Sequence, residues 1–303
     1  PDEVGQELDL RLWGYLFLLE TDVDAARFAA DGAHMLSPYE ARGLVPQLDV
    51  EGLTAAAFDE RAGYVTPDLV VQGYARRAAA RGAHIEQSCA ATRVLVEGTR
   101  VTGVETTHGT IATERVIVAA GVDTPSLLPA LDLPIESAAK HLFYSDPLPE
   151  GMLHPLVVSA EREFAAKQLA DGRLLASDLA AAGEPSSSRT GWLQRVHDVI
   201  DELLPELAGV ELPTVVSGVY DATPDSQPIV GPVGPDDGLF VAAGFSGHGF
   251  KISPAVGELV ADLVTGGASA NPHVSEADFR LSRFAEGAPL RSPHPYVGAG
   301  EMR

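Results

Sequence analysis

The sequence is poor in cysteine and has no long apolar run. Cys89 is the only cysteine among 303 residues, so the chain can form no internal disulfide, as is usual in a reducing compartment such as the cytoplasm. No apolar stretch approaches the roughly 18 residues that a membrane-spanning helix needs. We therefore expect a cytoplasmic protein without a membrane span.

Basic residues are also scarce, and lysine most of all. The chain has 21 Lys and Arg against 43 Asp and Glu, which gives a formal net charge of −22. Such a surface repels nucleic acids and anionic membranes, so nucleic-acid binding is excluded as a function. The acidity fits either adaptation to high salt or an Arg- and Ala-rich genome with an acidic, solubilising surface. The only lysines are Lys140, Lys167 and Lys251.

Turn residues between the apolar segments predict interleaved helices and short strands. Thr66 and Pro67 are typical of a helix start and Gly82 of its end. The segment at 91–112 favours a three-stranded meander with turns near Gly98 and Gly109. Ser253 and Pro254 are expected to begin a helix near the C-terminus. The fold class is therefore α/β (α+β) with a mixed sheet. A further amphipathic helix is predicted to bury Trp192, Val196, Val199, Ile200 and Leu203.

The segment GFSGHGFK, Gly244–Lys251, follows a buried strand and precedes that last helix. A glycine-rich turn at a helix start brings backbone N–H groups and the positive helix end toward a ligand. An ordinary strand-to-helix turn also favours glycine, so the loop alone leaves both interpretations open. Two other segments also have ordinary structural interpretations when taken alone. TERVIVAAG is compatible with a buried strand, and YDATPDSQPIVG is compatible with a rigid loop.

Taken together and in this order, these segments resemble the D-amino-acid-oxidase-like family of FAD-dependent amine oxidoreductases, in its sarcosine oxidase and glycine oxidase branch. The resemblance covers nearly the whole chain and is most specific at GVYDATPDSQPIVGP followed by GLFVAAGFSGHGFK. It implies a discontinuous, Rossmann-like FAD-binding domain, incomplete at its N-terminus and intertwined with a substrate domain of mixed or antiparallel sheet. The implied FAD domain takes residues 63–129 and 217–270, the substrate domain 1–62 and 130–216, and a tail 271–303.

The resemblance also implies the chemistry and the site. A hydride would pass from the carbon next to an amine nitrogen to flavin N5, which gives an imine that water hydrolyses. His248 and Lys251 would be catalytic, with Lys251 holding the substrate carboxylate. No metal is implied. The implied substrate-binding residues are Lys251, Tyr64, Tyr144 and Tyr220, and His141 and Met152 are further candidates for the pocket wall. The implied FAD-binding residues are Val94, Ala120, Gly121, Gly218, Gly244, Phe245, Ser246, Gly247, His248, Gly249, Phe250 and Lys251.

Two departures of the sequence from the family pattern concern the cofactor. It contains no G-x-G-x-x-G turn to bind the FAD pyrophosphate, so we expect a second chain or a segment outside this sequence to supply that unit. Gly218 stands where related sarcosine oxidases carry the cysteine that attaches the flavin, which predicts noncovalent FAD. The alternative function is a non-catalytic or assembly subunit that has lost autonomous FAD binding.

Overall fold

The computed structural model describes residues 4–159, 161–179, 189–234, 238–275 and 277–290. Its helices are α1 (Asp22–Ala30), α2 (Pro38–Leu44), α3 (Pro67–Ala80), α4 (Thr124–Leu127), α5 (Arg189–Leu203) and α6 (Gly249–Gly266). Its strands are β1 (Tyr15–Leu19), β2 (His34–Leu36), β3 (Ala55–Asp59), β4 (Ala91–Glu97), β5 (Arg100–Thr106), β6 (Gly109–Ala112), β7 (Val116–Val118), β8 (Glu136–Pro147), β9 (Leu156–Ser159), β10 (Phe164–Gln168), β11 (Arg173–Asp178), β12 (Thr214–Ala222), β13 (Ile229–Pro232) and β14 (Leu239–Ala243).

The largest sheet has eight strands in the order β12-β8-β11-β10-β9-β1-β3-β2. β1 and β9 pair in parallel, and the other neighbours pair antiparallel. One face of this sheet packs against α5 and carries the main hydrophobic core, which includes Phe143, Phe164 and Trp192. Successive side chains of a strand point to opposite faces of its sheet. On each strand, the residues next to a core residue therefore point to the opposite face, away from α5. We call that opposite face the second face.

A smaller sheet has the order β13-β14-β7, in which β14 and β7 run parallel. Helix α6 packs against it through Leu259, Val260 and Leu263, which join Phe240 and Ala242 of β14 in one apolar cluster. The strands β4, β5 and β6 form a separate antiparallel meander. The mixed α/β class and the meander turns are therefore confirmed.

The predicted start of α3 is confirmed, and the predicted start of α6 is wrong. Thr66 does precede α3, but its side chain makes no capping hydrogen bond. The start of α6 at Ser253 is wrong, because the helix begins at Gly249 and holds Pro254 in its interior. Pro254 lacks the N–H that would bond to the carbonyl of Phe250. The Ser253 hydroxyl donates to that carbonyl instead, at 2.9 Å, so the helix tolerates the proline.

The predicted domain boundaries stay a prediction. The large sheet takes strands from residues 15–59, 136–178 and 214–222, so β12 crosses the predicted boundary at residue 217. Residues 276 and 291–303 of the predicted tail lie outside the described residues.

Candidate functional site

The loop between β14 and α6 is fixed to the end of β12 by hydrogen bonds. The Gly244 N–H donates to Asp221 Oδ2 at 2.6 Å, and the Ser246 N–H donates to the Asp221 carbonyl at 3.0 Å. In return, the Thr223 N–H donates to Ser246 Oγ at 3.1 Å. Glycine is needed at 244, where φ is +76° and a Cβ would lie 2.4 Å from Thr223 Cγ2. The loop is therefore held rigidly beside the large sheet.

The ring of Tyr220 lies against this loop. Gly247 has a φ of +89°, and a Cβ there would lie 2.6 Å from the Tyr220 ring. The alternation of glycines in the segment thus has a packing reason, since it allows an aromatic ring to contact bare backbone. Of the three predicted substrate-binding tyrosines, Tyr220 is the one that the structure places at the loop.

The start of α6 projects from the same loop. His248 occupies the N-cap position, its N–H donates to the Phe245 carbonyl at 2.8 Å, and its side chain does not cap the helix. His248 is buried, whereas Lys251 in the first turn is exposed. The first N–H groups of an 18-residue helix carry a partial positive charge. This end can bind an anion or a polarised carbonyl.

The small sheet leads to the same region. β7 and β14 are parallel neighbours, so their carboxyl ends lie side by side, at the edge where ligands bind in open α/β sheets. Ala120 and Gly121 follow β7. Gly121 has a φ of +54°, and no described heavy atom lies within 4 Å of where its Cβ would be. Open space therefore adjoins this predicted cofactor contact.

Lys140 lies beside Tyr220, a position that the sequence did not reveal. On the second face it pairs with Gly218, and Tyr220 pairs with Ala138. The Lys140 ammonium lies 5.7 Å from the centroid of the Tyr220 ring and donates to the Leu179 carbonyl at 3.3 Å. Its role depends on the register of two strands far apart in sequence, so only its rarity could have drawn attention to it.

Tyr64 and Tyr144 lie apart from the loop. On β8, Tyr144 is six positions from Ala138, the partner of Tyr220, which corresponds to about 20 Å along a strand. The ammonium of Lys167 lies over the Tyr64 ring, 4.3 Å from the centroid of that ring. The structure therefore does not bring these two tyrosines together with Tyr220, and their substrate role stays a prediction.

The remaining candidates pack into apolar surroundings. His141 is buried on the core face, where its Nδ1 lies 2.8 Å from Ser217 Oγ and its ring lies 4.4 Å from that of Trp192. Met152 packs against the same core. Val94 pairs with Val104 in the meander and packs against the small sheet. The pocket-wall interpretation of His141 and Met152 therefore gains no support from their positions.

The sequence profile of the DAO family, described as FAD dependent oxidoreductase, matches residues 1–263. The chain belongs to this family. It is 31% identical to sarcosine oxidase subunit beta of Rhizobium meliloti, over 87% of this chain and 64% of that protein. It is 28% identical to glycine oxidase of Pseudomonas putida, over 91% and 76%. The structure of L-proline dehydrogenase from P. horikoshii has a TM-score of 0.87 at 27% identity, with 95% of this chain and 80% of that chain covered.

The chain aligns with only part of the length of these proteins. The DAO-family chain spans about 64% of the Rhizobium meliloti protein. Within the described residues, no helix has the length and apolarity to cross a membrane. The same part of the chain holds no group of three or more His, Cys, Asp and Glu side chains arranged for a metal ion.

The residues at the loop fit the ring portion of FAD. A helix start without a side-chain cap offers N–H donors. At Gly121 and at Gly218, no described heavy atom lies within 4 Å of where a Cβ would be. Gly218 has no side chain with which to form a covalent bond. These features match a flat, polar group with carbonyls and ring nitrogens along one edge.

Proposed function

We propose that this chain forms the flavin-ring and substrate portion of an FAD-dependent oxidoreductase that oxidises the C–N bond of a small amino acid or N-methyl amine. The observation that carries the proposal is the loop Gly244–His248, fixed to β12 and continuous with the uncapped start of α6. The names of the three similar proteins support it, since each acts on an amine or amino acid.

In this proposal, the residues around the start of α6 bind the cofactor and the substrate. The start of α6 places N–H groups and positive potential at the edge of the cofactor that gains negative charge on reduction. Lys251 pairs with the substrate carboxylate, and His248, buried at the N-cap, lies between that site and the cofactor. The Tyr220 ring, which lies against Gly247, borders the substrate position. When bound, FAD supplies the hydride acceptor, and binding is noncovalent.

A partner or further segment is part of the proposal. The FAD pyrophosphate needs a phosphate-binding turn, and the sequence contains no G-x-G-x-x-G. One similar protein is named a subunit beta, which supports a multi-subunit enzyme. We therefore propose that a second chain, or a segment outside this sequence, completes the cofactor site.

The test uses the natural protein together with any subunit that copurifies. It should be yellow and release FAD on denaturation, and anaerobic sarcosine, glycine or L-proline should bleach its visible spectrum. A protein that carries no flavin after purification and reconstitution would overturn the proposal and favour the assembly-subunit alternative. A flavoprotein that none of the three substrates bleaches would contradict the proposed substrate class.

The assigned role of Lys251 gives a separate prediction. Lys251→Met should raise the KM for a carboxylate substrate by about tenfold, because a hydrogen bond to a charged group is lost, while flavin content is kept. Lys251→Arg should recover part of the loss, and an N-methyl amine without a carboxylate should be insensitive to either change. Steady-state kinetics with flavin quantitation measure this, and an unchanged KM for the carboxylate substrate would refute the role.

A further inference from the structure

We propose that Lys167, Tyr64 and Trp13 form a binding position for a ligand carboxylate, separate from the loop and at the far end of the second face. Lys167 is half-buried on β10. Its ammonium lies 4.3 Å from the centroid of the Tyr64 ring. Trp13 meets that ring edge-on, with centroids 5.7 Å apart, and His154 stacks on Trp13 at 3.5 Å.

The charge of Lys167 lacks a counter-ion. Among the described residues, no carboxylate forms an ion pair with it and no acceptor takes a hydrogen bond from it. Arg173 provides a comparison, because its guanidinium lies 5.0 Å from the Tyr144 ring centroid yet also pairs with Asp171 at 2.7 Å. Burial lowers the pKa of Lys167 to about 8. A half-buried, unpaired cation is stabilised by an anion that reaches it.

The position is distinct from the proposed catalytic loop. Lys167 pairs with Leu175, which pairs with Tyr144 on β8. That row lies about 20 Å along the strands from Tyr220, and β10 lies three strands, or about 14 Å, from β12. A chain with a net charge of −22 repels anions in general. A local positive charge is therefore needed to attract an anionic ligand to this surface.

The surroundings indicate the class of ligand. The two rings offer flat, apolar surface beside the Lys167 ammonium, and the Arg11 guanidinium lies 5.9 Å from the Trp13 centroid. These surroundings suit a monocarboxylate with a flat or apolar body.

Burial has the largest effect on Tyr64 and raises its pKa; Asp9 and Asp171 raise that pKa further, and Arg11 lowers it. Both carboxylates pair with arginines, Asp9 with Arg11 at 2.6 Å and Asp171 with Arg173 at 2.7 Å. The one unpaired ammonium matches a single negative charge, so we assign the position to a monocarboxylate.

The three lysines make a direct experiment possible. In protein labelled with [ε-13C]lysine, NMR should show three side-chain signals, which single Lys→Arg variants assign. Benzoate is the probe, and benzyl alcohol is a control with the same ring and no charge. We expect benzoate to shift the Lys167 signal saturably and to move its titration midpoint upward from about pH 8, because a bound anion favours the protonated amine. Benzyl alcohol should leave that signal unchanged.

Variants separate binding from general charge effects. Lys167→Met should weaken benzoate binding at least tenfold by calorimetry, Lys167→Arg should keep most of it, and the exposed Arg61→Met should have no effect. Unchanged signals of Lys140 and Lys251 in Lys167→Met would show that the fold is kept. The proposal is overturned if benzoate leaves the Lys167 signal unmoved, or if Lys167→Met binds benzoate as the parent does. Neither readout requires bound flavin, so the result is independent of the proposed oxidation.

Discussion

Arg283→Met should lower the free energy of unfolding by about 3–5 kcal/mol, the usual effect of removing one partner from a buried ion pair. Arg283 is 0% exposed and Asp225 3% exposed by side chain, and two hydrogen bonds of 2.8 and 2.9 Å join them. The Arg283 guanidinium also donates to the Gln227 carbonyl at 2.8 Å. Methionine fills part of the volume but leaves a buried carboxylate without a cationic partner, with hydrogen bonds from the Thr223 hydroxyl and the N–H groups of Gln227 and Leu290.

Urea unfolding followed by circular dichroism measures this loss. Arg280→Met is the matched control, because Arg280 pairs with Glu286 at the surface and an exposed pair contributes at most about 1 kcal/mol. Adding Asp225→Asn to Arg283→Met should restore part of the stability, since the unpaired charge is removed. Equal losses in the two arginine variants would contradict a structural role for the buried pair.

The same pair predicts a dependence on pH. Burial would raise the pKa of Asp225, but hydrogen bonds from Arg283, Leu290 and Gln227, with the guanidinium charge, outweigh it and hold that pKa below its usual value. The unfolded chain therefore takes up a proton at a higher pH than the folded chain does. The stabilisation is present above the ordinary aspartate pKa of about 4 and is lost as the pH falls through the lower folded value.

The ion pair between Arg283 and Asp225 is a contact that local sequence patterns could not predict. Asp225 belongs to the segment YDATPDSQPIVG, for which the sequence favours a rigid loop, but its partner Arg283 lies 58 residues away in the predicted tail. Neither residue has a local signal, because the pairing exists only after β13 and the segment at 279–283 have packed together. By contrast, the strand, turn and helix around Gly244 were predictable, since glycine spacing and apolar periodicity are local properties.

The positions of the three lysines also depend partly on contacts between distant segments. Lys251 was predicted from a motif, whereas Lys140 and Lys167 lie in ordinary strand patterns. Which face each one occupies depends on strand register, and register is set by pairing between distant segments. Because Ser-Pro is a strong helix-start signal, the sequence predicts a start at Ser253, four residues after the observed start at Gly249. The hydrogen bond from Ser253 to Phe250 overrides that signal here.

Gly244→Ala should lower the free energy of unfolding by about 2–5 kcal/mol. Part of this loss comes from backbone strain, since a left-handed conformation costs an L-residue about 1–2 kcal/mol. The rest comes from overpacking, because the new methyl would lie 2.4 Å from Thr223 Cγ2 and overpacking typically adds about 1–3 kcal/mol. Relief of the clash would move Thr223 or the loop, and either movement disturbs the hydrogen bonds that fix the loop to β12.

Two further variants separate these contributions. Gly267→Ala places a methyl at a φ of +77°, nearly the same as that of Gly244, with no described atom within 4 Å, so it should show the backbone strain alone. Thr223→Ser removes Cγ2 while keeping the hydroxyl that donates to the Gln227 carbonyl at 2.7 Å. In combination with Gly244→Ala it should therefore recover the overpacking part and leave a loss close to that of Gly267→Ala. If Gly244→Ala and Gly267→Ala lose equal stability, contact with Thr223 does not constrain the loop, and conformational freedom alone explains the glycine.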